Sequence, residues 1–167
     1  MRIGKAQMIK GASLSEDGTY RYTLARTWGE GPIAVWVMLN PSTADAEVDD
    51  PTIRKCIKFS KREGMGGLSV VNLFGYRSTD PKRLSEVEDP IGPLNRDLVR
   101  IETGNAKLVI AGWGRGVEKV KKNIRALALE SDLLKIPMKC LGTTKAGHPK
   151  HPLYLRDDTP LVDWKGY

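Results

Sequence analysis

The fold is decided by the stretch from Ile33 to Ile53, IAVWVMLNPSTADAEVDDPTI. Its first part, Ile33 to Leu39, is a continuous apolar run rich in β-branched and aromatic residues, which is typical of a strand buried on both faces of a parallel sheet. The run ends at Asn40-Pro41, and a polar, acidic turn follows. Ligands of open α/β sheets bind outside the carboxyl ends of the strands, so this turn is the expected place for chemistry. The alternative is a surface loop that only caps a helix.

The segments around this stretch predict alternating strands and helices. Asp49 or Asp50 is a suitable N-cap for a helix that begins at Pro51 and ends at Gly64. The other predicted elements are strands at Leu68–Phe74, Lys107–Trp113 and Lys139–Leu141, helices at about Leu94–Thr103 and Val117–Glu130, and a half-exposed strand at a sheet edge, Tyr20–Thr27. Right-handed crossovers would join them into a three-layer α/β/α sandwich with a central, mostly parallel four-stranded sheet.

Composition limits the class of protein. With 167 residues the chain is expected to form a single domain, 1–167, with its core at about 20–155. We expect no membrane span and no signal peptide, and therefore a cytoplasmic location. Cys56 and Cys140 are expected to be buried, reduced thiols. The net charge of +7 is compatible with a polyanionic partner such as nucleic acid.

The carboxyl ends of the predicted strands carry polar and aromatic clusters. They are Asn40-Pro41-Ser42-Thr43, Tyr76-Arg77, Trp113-Gly114-Arg115 and the segment from Thr143 to His151, which holds both histidines of the chain. Because these ends meet at one edge of a parallel sheet, we expect one pocket there, surrounded by Asn40, Asp45, Asn72, Arg77, Trp113 and His148. Asn72, inside a strand, either faces this pocket or is a structural amide with satisfied hydrogen bonds.

Five strings of the sequence resemble a known family. They are MLNPSTADAEVDDPTIRKC, VVNLFGYRSTDP, DPIGPLNRD, AGWG and CLGTTKAGHPKHPLYL. They are similar to the bacterial and phage family called domain of unknown function 1643, over about Tyr20 to Leu155. That family has no established activity, so this resemblance implies a family and no reaction.

The order of the clusters is remotely similar to that of the uracil-DNA glycosylase superfamily. Asn40-Pro41 occupies the place of its Gly-x-Asn-Pro-Gly type motif, and His148-Pro149-Lys150-His151-Pro152-Leu153 resembles its late His-Pro-Ser-Pro-Leu motif with one extra residue. The resemblance implies a glycosylase-like fold, an attacking water held by Asn40, and one of the two histidines stabilising charge on the departing base. Ser42 and Thr43 stand where glycine is commoner, and common glycosylases lack the acidic DDPT segment, which leaves a modified nucleobase as an alternative to uracil.

The expected function is therefore nucleobase-directed chemistry on DNA or a nucleotide, by N-glycosidic cleavage or a related reaction, with no cofactor and no metal. A non-catalytic binder of nucleic acid or nucleotide is the alternative, and a metal-dependent hydrolase using Asp45, Asp49, Asp50 and the histidines is a third reading. The candidate catalytic residues are Asn40, Asp45, Asp50, His148 and His151. The candidate substrate-binding residues are Pro41, Ser42, Thr43, Asn72, Tyr76, Arg77, Trp113, Arg115 and Lys145, with Trp113, Tyr76 or Phe74 stacking on the base.

Each candidate also has a structural reading. Asp50 could serve only as a helix cap, and Trp113 could belong only to the core. A His-Pro pair could serve only to shape a turn.

Overall fold

A computed structural model describes residues 7–129 and 132–167 of the chain. The strands are β1 (Ile9–Leu14), β2 (Arg21–Thr27), β3 (Ile33–Met38), β4 (Gly67–Asn72), β5 (Leu108–Ala111), β6 (Lys139–Cys140) and β7 (Val162–Asp163). The helices are α1 (Pro51–Arg62), α2 (Asn95–Gly104) and α3 (Lys122–Leu129), with 3-10 helices at Pro81–Ser85, Arg115–Lys119 and Asp132–Lys135.

The centre of the sheet is parallel, as the apolar runs predicted. β3 pairs in parallel with β4 on one side and with β5 on the other, and β6 continues the parallel set beside β5. The interior position of Ile33–Leu39 and the parallel direction of its two neighbours are therefore confirmed. The carboxyl ends of these four strands meet at one edge of the sheet.

The prediction of a mostly parallel, four-stranded sheet was wrong, because the described sheet is mixed and has seven strands, in the order β1-β2-β4-β3-β5-β6-β7. β2 pairs antiparallel with β4. β1 and β2 form an antiparallel pair at one edge, and β7 pairs antiparallel with β6 at the other. β2 was expected at the edge but is covered by β1. The β1 sequence IKGASL is largely exposed, so no buried apolar pattern predicted it.

Helices cover both faces of the sheet, which gives the expected three layers. Trp36 and Met38 of β3 belong to a core cluster shared with residues of α1. Val35 and Val37 point to the opposite face, into a cluster shared with α2 and α3. The buried Trp36 indole donates a 2.9 Å hydrogen bond to Ser60 Oγ of α1, which satisfies its only polar group.

The helix boundaries are partly as expected. α1 begins at Pro51 after the N-cap Asp50, as predicted. The helix expected from Val117 begins later, at Lys122, because Arg115–Lys119 forms a 3-10 helix and Val120 is extended and buried. The end expected at Glu130 lies outside the described residues. In the described part of the chain, every helix is too short or too polar to cross a bilayer.

Candidate functional site

A cavity of about 600 Å³ opens at the carboxyl edge of the parallel strands. Its lining residues come from the segments 38–42, 50–53, 78–81, 113–119 and 151–154, together with Arg21, Val70 and Asn72. This volume lies within the range of small-molecule sites. A smaller cavity of about 50 Å³ lies against α2 and is too small for a nucleobase.

Asn40 faces the cavity with a fixed side-chain amide. Its Nδ2 group donates to Pro41 O at 3.1 Å and to Ser78 O at 2.8 Å. Two carbonyl acceptors for one amide nitrogen set the orientation of the group, because an oxygen in that place could not donate. The Oδ1 atom is thereby left as an acceptor, and no donor among the described residues occupies it.

Asp50 caps α1 and lines the same cavity. Its Oδ1 atom accepts a 2.9 Å hydrogen bond from the Ile53 amide, so Asp50 does cap the helix, as expected of it. The second oxygen accepts no hydrogen bond from the residues that the structure describes. Capping therefore uses one oxygen, while the other stays available to a ligand or water in the cavity.

Asp45 lies outside the lining of the cavity, although it shares the loop with Asp50. Its Oδ1 atom accepts from the Glu47 and Val48 amides at 2.8 and 2.7 Å. These backbone hydrogen bonds lower the pKa of the Asp45 carboxyl group from its ordinary value. The geometry is that of a turn stabilised by its own side chain.

The two histidines occupy different surroundings. His151 lines the cavity, and its Nδ1 atom accepts a 3.2 Å hydrogen bond from the Leu153 amide. A neutral imidazole that accepts at Nδ1 carries its proton on Nε2, so this ring can donate from Nε2. Burial lowers the pKa of His151 and so favours the neutral form. The backbone of His151 lies close to Gly114, where an added Cβ would stand 2.9 Å from the His151 Cβ.

His148 is buried behind the cavity and does not line it. Its Nδ1 atom lies 2.8 Å from the Tyr167 hydroxyl, and its Nε2 atom lies 3.0 Å from Glu118 Oε1. The Tyr167 oxygen also accepts the indole N–H of Trp113 at 2.9 Å. Both ring nitrogens of His148 are therefore occupied by protein groups, and one of these groups, Tyr167, also binds the Trp113 indole.

The pocket expected from the sequence is assembled in part. Asn40, Asn72 and Trp113 line the cavity, whereas Asp45, Arg77 and His148 do not. Arg77 turns towards Gly18 O, 3.5 Å from its Nη1 atom, because its segment runs beside Thr19 rather than over the strand ends.

The remaining candidates divide in the same way. Ser42 and Arg115 line the cavity, and the exposed Arg115 side chain also lies 3.8 Å from Glu118. Four candidates are absent from the lining: Pro41, Thr43, Tyr76 and Lys145. Tyr76 packs edge-on against Tyr20, and Phe74 is buried in the core.

Several lining residues were missed by the sequence analysis. They are Arg21, Thr52, Ser78, Thr79, Lys119, Leu153 and Tyr154. Tyr154 is 92% exposed, and an aromatic residue so exposed beside a cavity can serve as a stacking surface. Arg21 was missed because the alternation in YRYTLART predicted a half-exposed strand at a sheet edge, whereas Arg21 is 2% exposed.

The described residues contain no group of three or more His, Cys, Asp or Glu side chains arranged to hold a metal ion.

The family model described as a protein of unknown function, DUF1643, matches residues 21–153. The chain belongs to this family. The matched range of this DUF1643 member includes every candidate catalytic and substrate-binding residue predicted above. No curated protein is significantly similar to the chain. No solved structure is significantly similar to it either.

Proposed function

We propose that this chain is an enzyme that acts on the nucleobase of a nucleotide or nucleic acid, by N-glycosidic cleavage or a related reaction. The main support is that Asn40, Asp50 and His151 line one cavity while each keeps one polar atom free of hydrogen bonds to the described residues. Two of these free atoms are acceptors, and the third, His151 Nε2, is a donor.

This combination suits hydrolysis of an N-glycosidic bond. Asn40 Oδ1 and the free oxygen of Asp50 would hold a water molecule, and Asp50 would take its proton as the oxygen bonds to C1′ of the sugar. The bond between C1′ and the base nitrogen breaks, and its electron pair leaves with the base. The Nε2–H group of His151 would donate to the base oxygen on which the negative charge collects.

The remote resemblance to the uracil-DNA glycosylase superfamily supports the same division of roles. It implies a water-holding residue at Asn40 and a charge-stabilising histidine in the late His-Pro segment. Of the two histidines, His151 is the one that lines the cavity, so the proposal assigns the donor to it. Ser42 also lines the cavity where glycine is commoner in that superfamily, which favours a substrate other than ordinary uracil.

The test is single-turnover release of free base from nucleosides, nucleotides, single-stranded DNA and duplex DNA, with unmodified and modified bases. Asp50→Asn is the decisive variant, because asparagine also caps helices well and the exchange removes the charge alone. We expect base release to fall by about a hundredfold or more, with binding nearly unchanged. Asp45→Asn is the matched control, since it makes the same exchange in the same loop outside the cavity lining.

A non-catalytic binder of nucleotide or nucleic acid is the second candidate, favoured by the cationic side chains Arg21, Arg115 and Lys119 in the cavity lining. In that case no substrate of the panel releases a base, although one or more of them bind. Equal rates for Asp50→Asn and Asp45→Asn would remove Asp50 from the chemistry.

A further inference from the structure

Arg21 is a buried cation with incomplete pairing at the wall of the cavity. The side chain is 2% exposed, and its Nη1 atom donates to Ala44 O at 2.7 Å. Its Nε atom is buried without a hydrogen-bond partner, and the guanidinium forms no ion pair within residues 7–129 and 132–167. Burial lowers the pKa of Arg21 to about 10, so the group still carries its charge at neutral pH.

A second buried arginine of the same strand, Arg26, has a hydrogen-bond partner for each of its three side-chain nitrogens. Arg26 donates from Nε to Asp49 at 2.8 Å, and its two other nitrogens donate to backbone carbonyls. Both arginines reach the loop that follows β3, since Arg21 binds Ala44 O and Arg26 binds Asp45 O. The Asp50 carboxylate attracts the Arg21 charge without forming an ion pair with it, and burial still lowers the pKa of Arg21. A buried charge without a direct ion pair is costly, so the contrast indicates that Arg21 is kept for something other than holding the loop.

The surroundings of Arg21 favour an anionic ligand. Among the described side chains that line the cavity, Arg21, Arg115 and Lys119 are cationic and Asp50 is the one carboxylate. Glu118 does not line the cavity, but its Oε2 atom lies 3.8 Å from Arg115 Nη2 and offsets part of the Arg115 charge. Asn72 adds a second buried donor, because its Nδ2 atom has no hydrogen-bond partner in the described part of the chain. Two unpaired buried donors at a cavity need acceptor atoms that the described residues do not supply and that a ligand can provide.

We infer that Arg21 and Asn72 form a subsite for a phosphoryl group, and that the substrate is therefore a phosphorylated nucleoside. The inference rests on the proposed function, and it adds the part of the substrate that lies beside the base. A planar guanidinium matches the geometry of phosphoryl oxygens, and such charge-assisted hydrogen bonds are among the strong ones in proteins. The phosphoryl group belongs either to a free nucleotide or to a polynucleotide.

The test compares equilibrium binding of each common nucleoside with that of its 5′- and 3′-monophosphates and of a short single-stranded oligonucleotide, by calorimetry. We expect at least one phosphorylated form to bind about 10- to 100-fold more tightly than its nucleoside. Arg21→Met should abolish that difference, and Arg21→Lys should keep part of it. Arg156→Met is the control, because it removes one positive charge from an exposed side chain outside the cavity lining.

The outcomes separate this inference from the proposed function. Equal affinities for nucleosides and their phosphorylated forms, or a phosphate preference that survives in Arg21→Met, would overturn the subsite even if base release is observed. A preference that depends on Arg21 supports the subsite even if no base is released. A preference for monophosphates identifies a free nucleotide as the source of the phosphoryl group, and a preference for the oligonucleotide identifies a polymer. If Arg21→Met fails to fold, the wild type is compared with Arg21→Lys. A phosphate preference that is smaller in Arg21→Lys supports the subsite, and an absent preference in the wild type or an unchanged one in Arg21→Lys overturns it.

Discussion

The segment HPKHP, residues 148–152, contains two histidines with contrasting hydrogen bonding and position. His148 has both ring nitrogens occupied by Tyr167 and Glu118, and it is buried behind the cavity wall. His151 uses one nitrogen to accept from the Leu153 amide and lines the cavity. A polar side chain whose hydrogen bonds are all met by the protein stabilises the fold, whereas one with an unmet donor or acceptor beside a cavity is available to a ligand.

The same contrast recurs twice around the loop that follows β3. Asp45 accepts hydrogen bonds from two backbone amides outside the cavity lining, while Asp50, which lines the cavity, keeps one oxygen free of hydrogen bonds to the residues that the structure describes. Arg26 has a partner for every nitrogen, while the Nε atom of Arg21 has none in the described part of the chain. Three pairs of residues of the same type therefore provide matched tests of whether unmet hydrogen bonds beside the cavity distinguish functional residues from structural ones.

The largest expected effect is on stability, in the arginine pair. Arg26→Met should lower the free energy of unfolding by about 3 kcal/mol, because it leaves Asp49 and the buried carbonyls without their donor. Arg21→Met should change it by less than about 1 kcal/mol, since the loss of the bond to Ala44 O is offset by removal of an unpaired buried charge. Urea unfolding of the ligand-free variants measures both values. Equal losses would show that Arg21 is a structural residue like Arg26.

The next effect is on turnover, in the histidine pair. His151→Ala should slow base release by about a hundredfold and leave affinity nearly unchanged, because a donor to developing charge acts mainly in the transition state. His148→Ala should instead cost about 1–3 kcal/mol of stability, since it leaves Tyr167 and Glu118 without their buried partner. Rates are measured at a temperature where both variants are folded. The roles are reversed if His148→Ala is the slower enzyme under those conditions.

The pH dependence of stability and turnover provides a second test of the role predicted for His151. Burial lowers the pKa of His151 below its ordinary value of 6.5, so the folded state binds fewer protons at this residue than the unfolded state. Its contribution to stability is therefore present above pH 6.5 and is lost as the pH falls through the lowered pKa. Protonation would also put a hydrogen on Nδ1, where it opposes the Leu153 amide. Wild-type turnover should decline over that acid range, and His151→Ala should lose this part of the profile.

Much of the central fold could be predicted because its cause is local. The apolar run from Ile33 and the break at Asn40-Pro41 predict a buried strand and its polar end without reference to the rest of the chain. β1 could not be found in this way, since its residues are largely exposed and it is held by backbone pairing with β2. Pairing of that kind leaves little trace in side-chain pattern.

The site was less predictable because burial of its polar groups depends on distant segments. Arg21 is buried because the loop around Ala44 covers it, and the alternation within β2 does not contain that fact. The division between His148 and His151 depends on Glu118 and Tyr167, which reach His148 from elsewhere in the chain. Which strand ends would meet was predictable from the parallel topology. Which of the side chains there would lack a hydrogen-bond partner could not be predicted from the topology.

The smallest expected effect concerns the network behind the cavity. Tyr167→Phe removes the oxygen that accepts the Trp113 indole N–H at 2.9 Å and lies 2.8 Å from His148 Nδ1. Two buried polar groups would then lack their partner, which should lower the free energy of unfolding by about 1–2 kcal/mol. Trp113 lines the cavity, but it would remain packed edge-on against Trp164, so nucleotide affinity should change by less than about threefold. Urea unfolding and calorimetric titration measure the two effects. Tyr154→Phe is the stability control, because that side chain is 92% exposed and should unfold within about 0.5 kcal/mol of the wild type. A loss of affinity much larger than the loss of stability in Tyr167→Phe would mean that the His148 network takes part in binding and that saturated hydrogen bonds do not separate structural residues from functional ones in this protein.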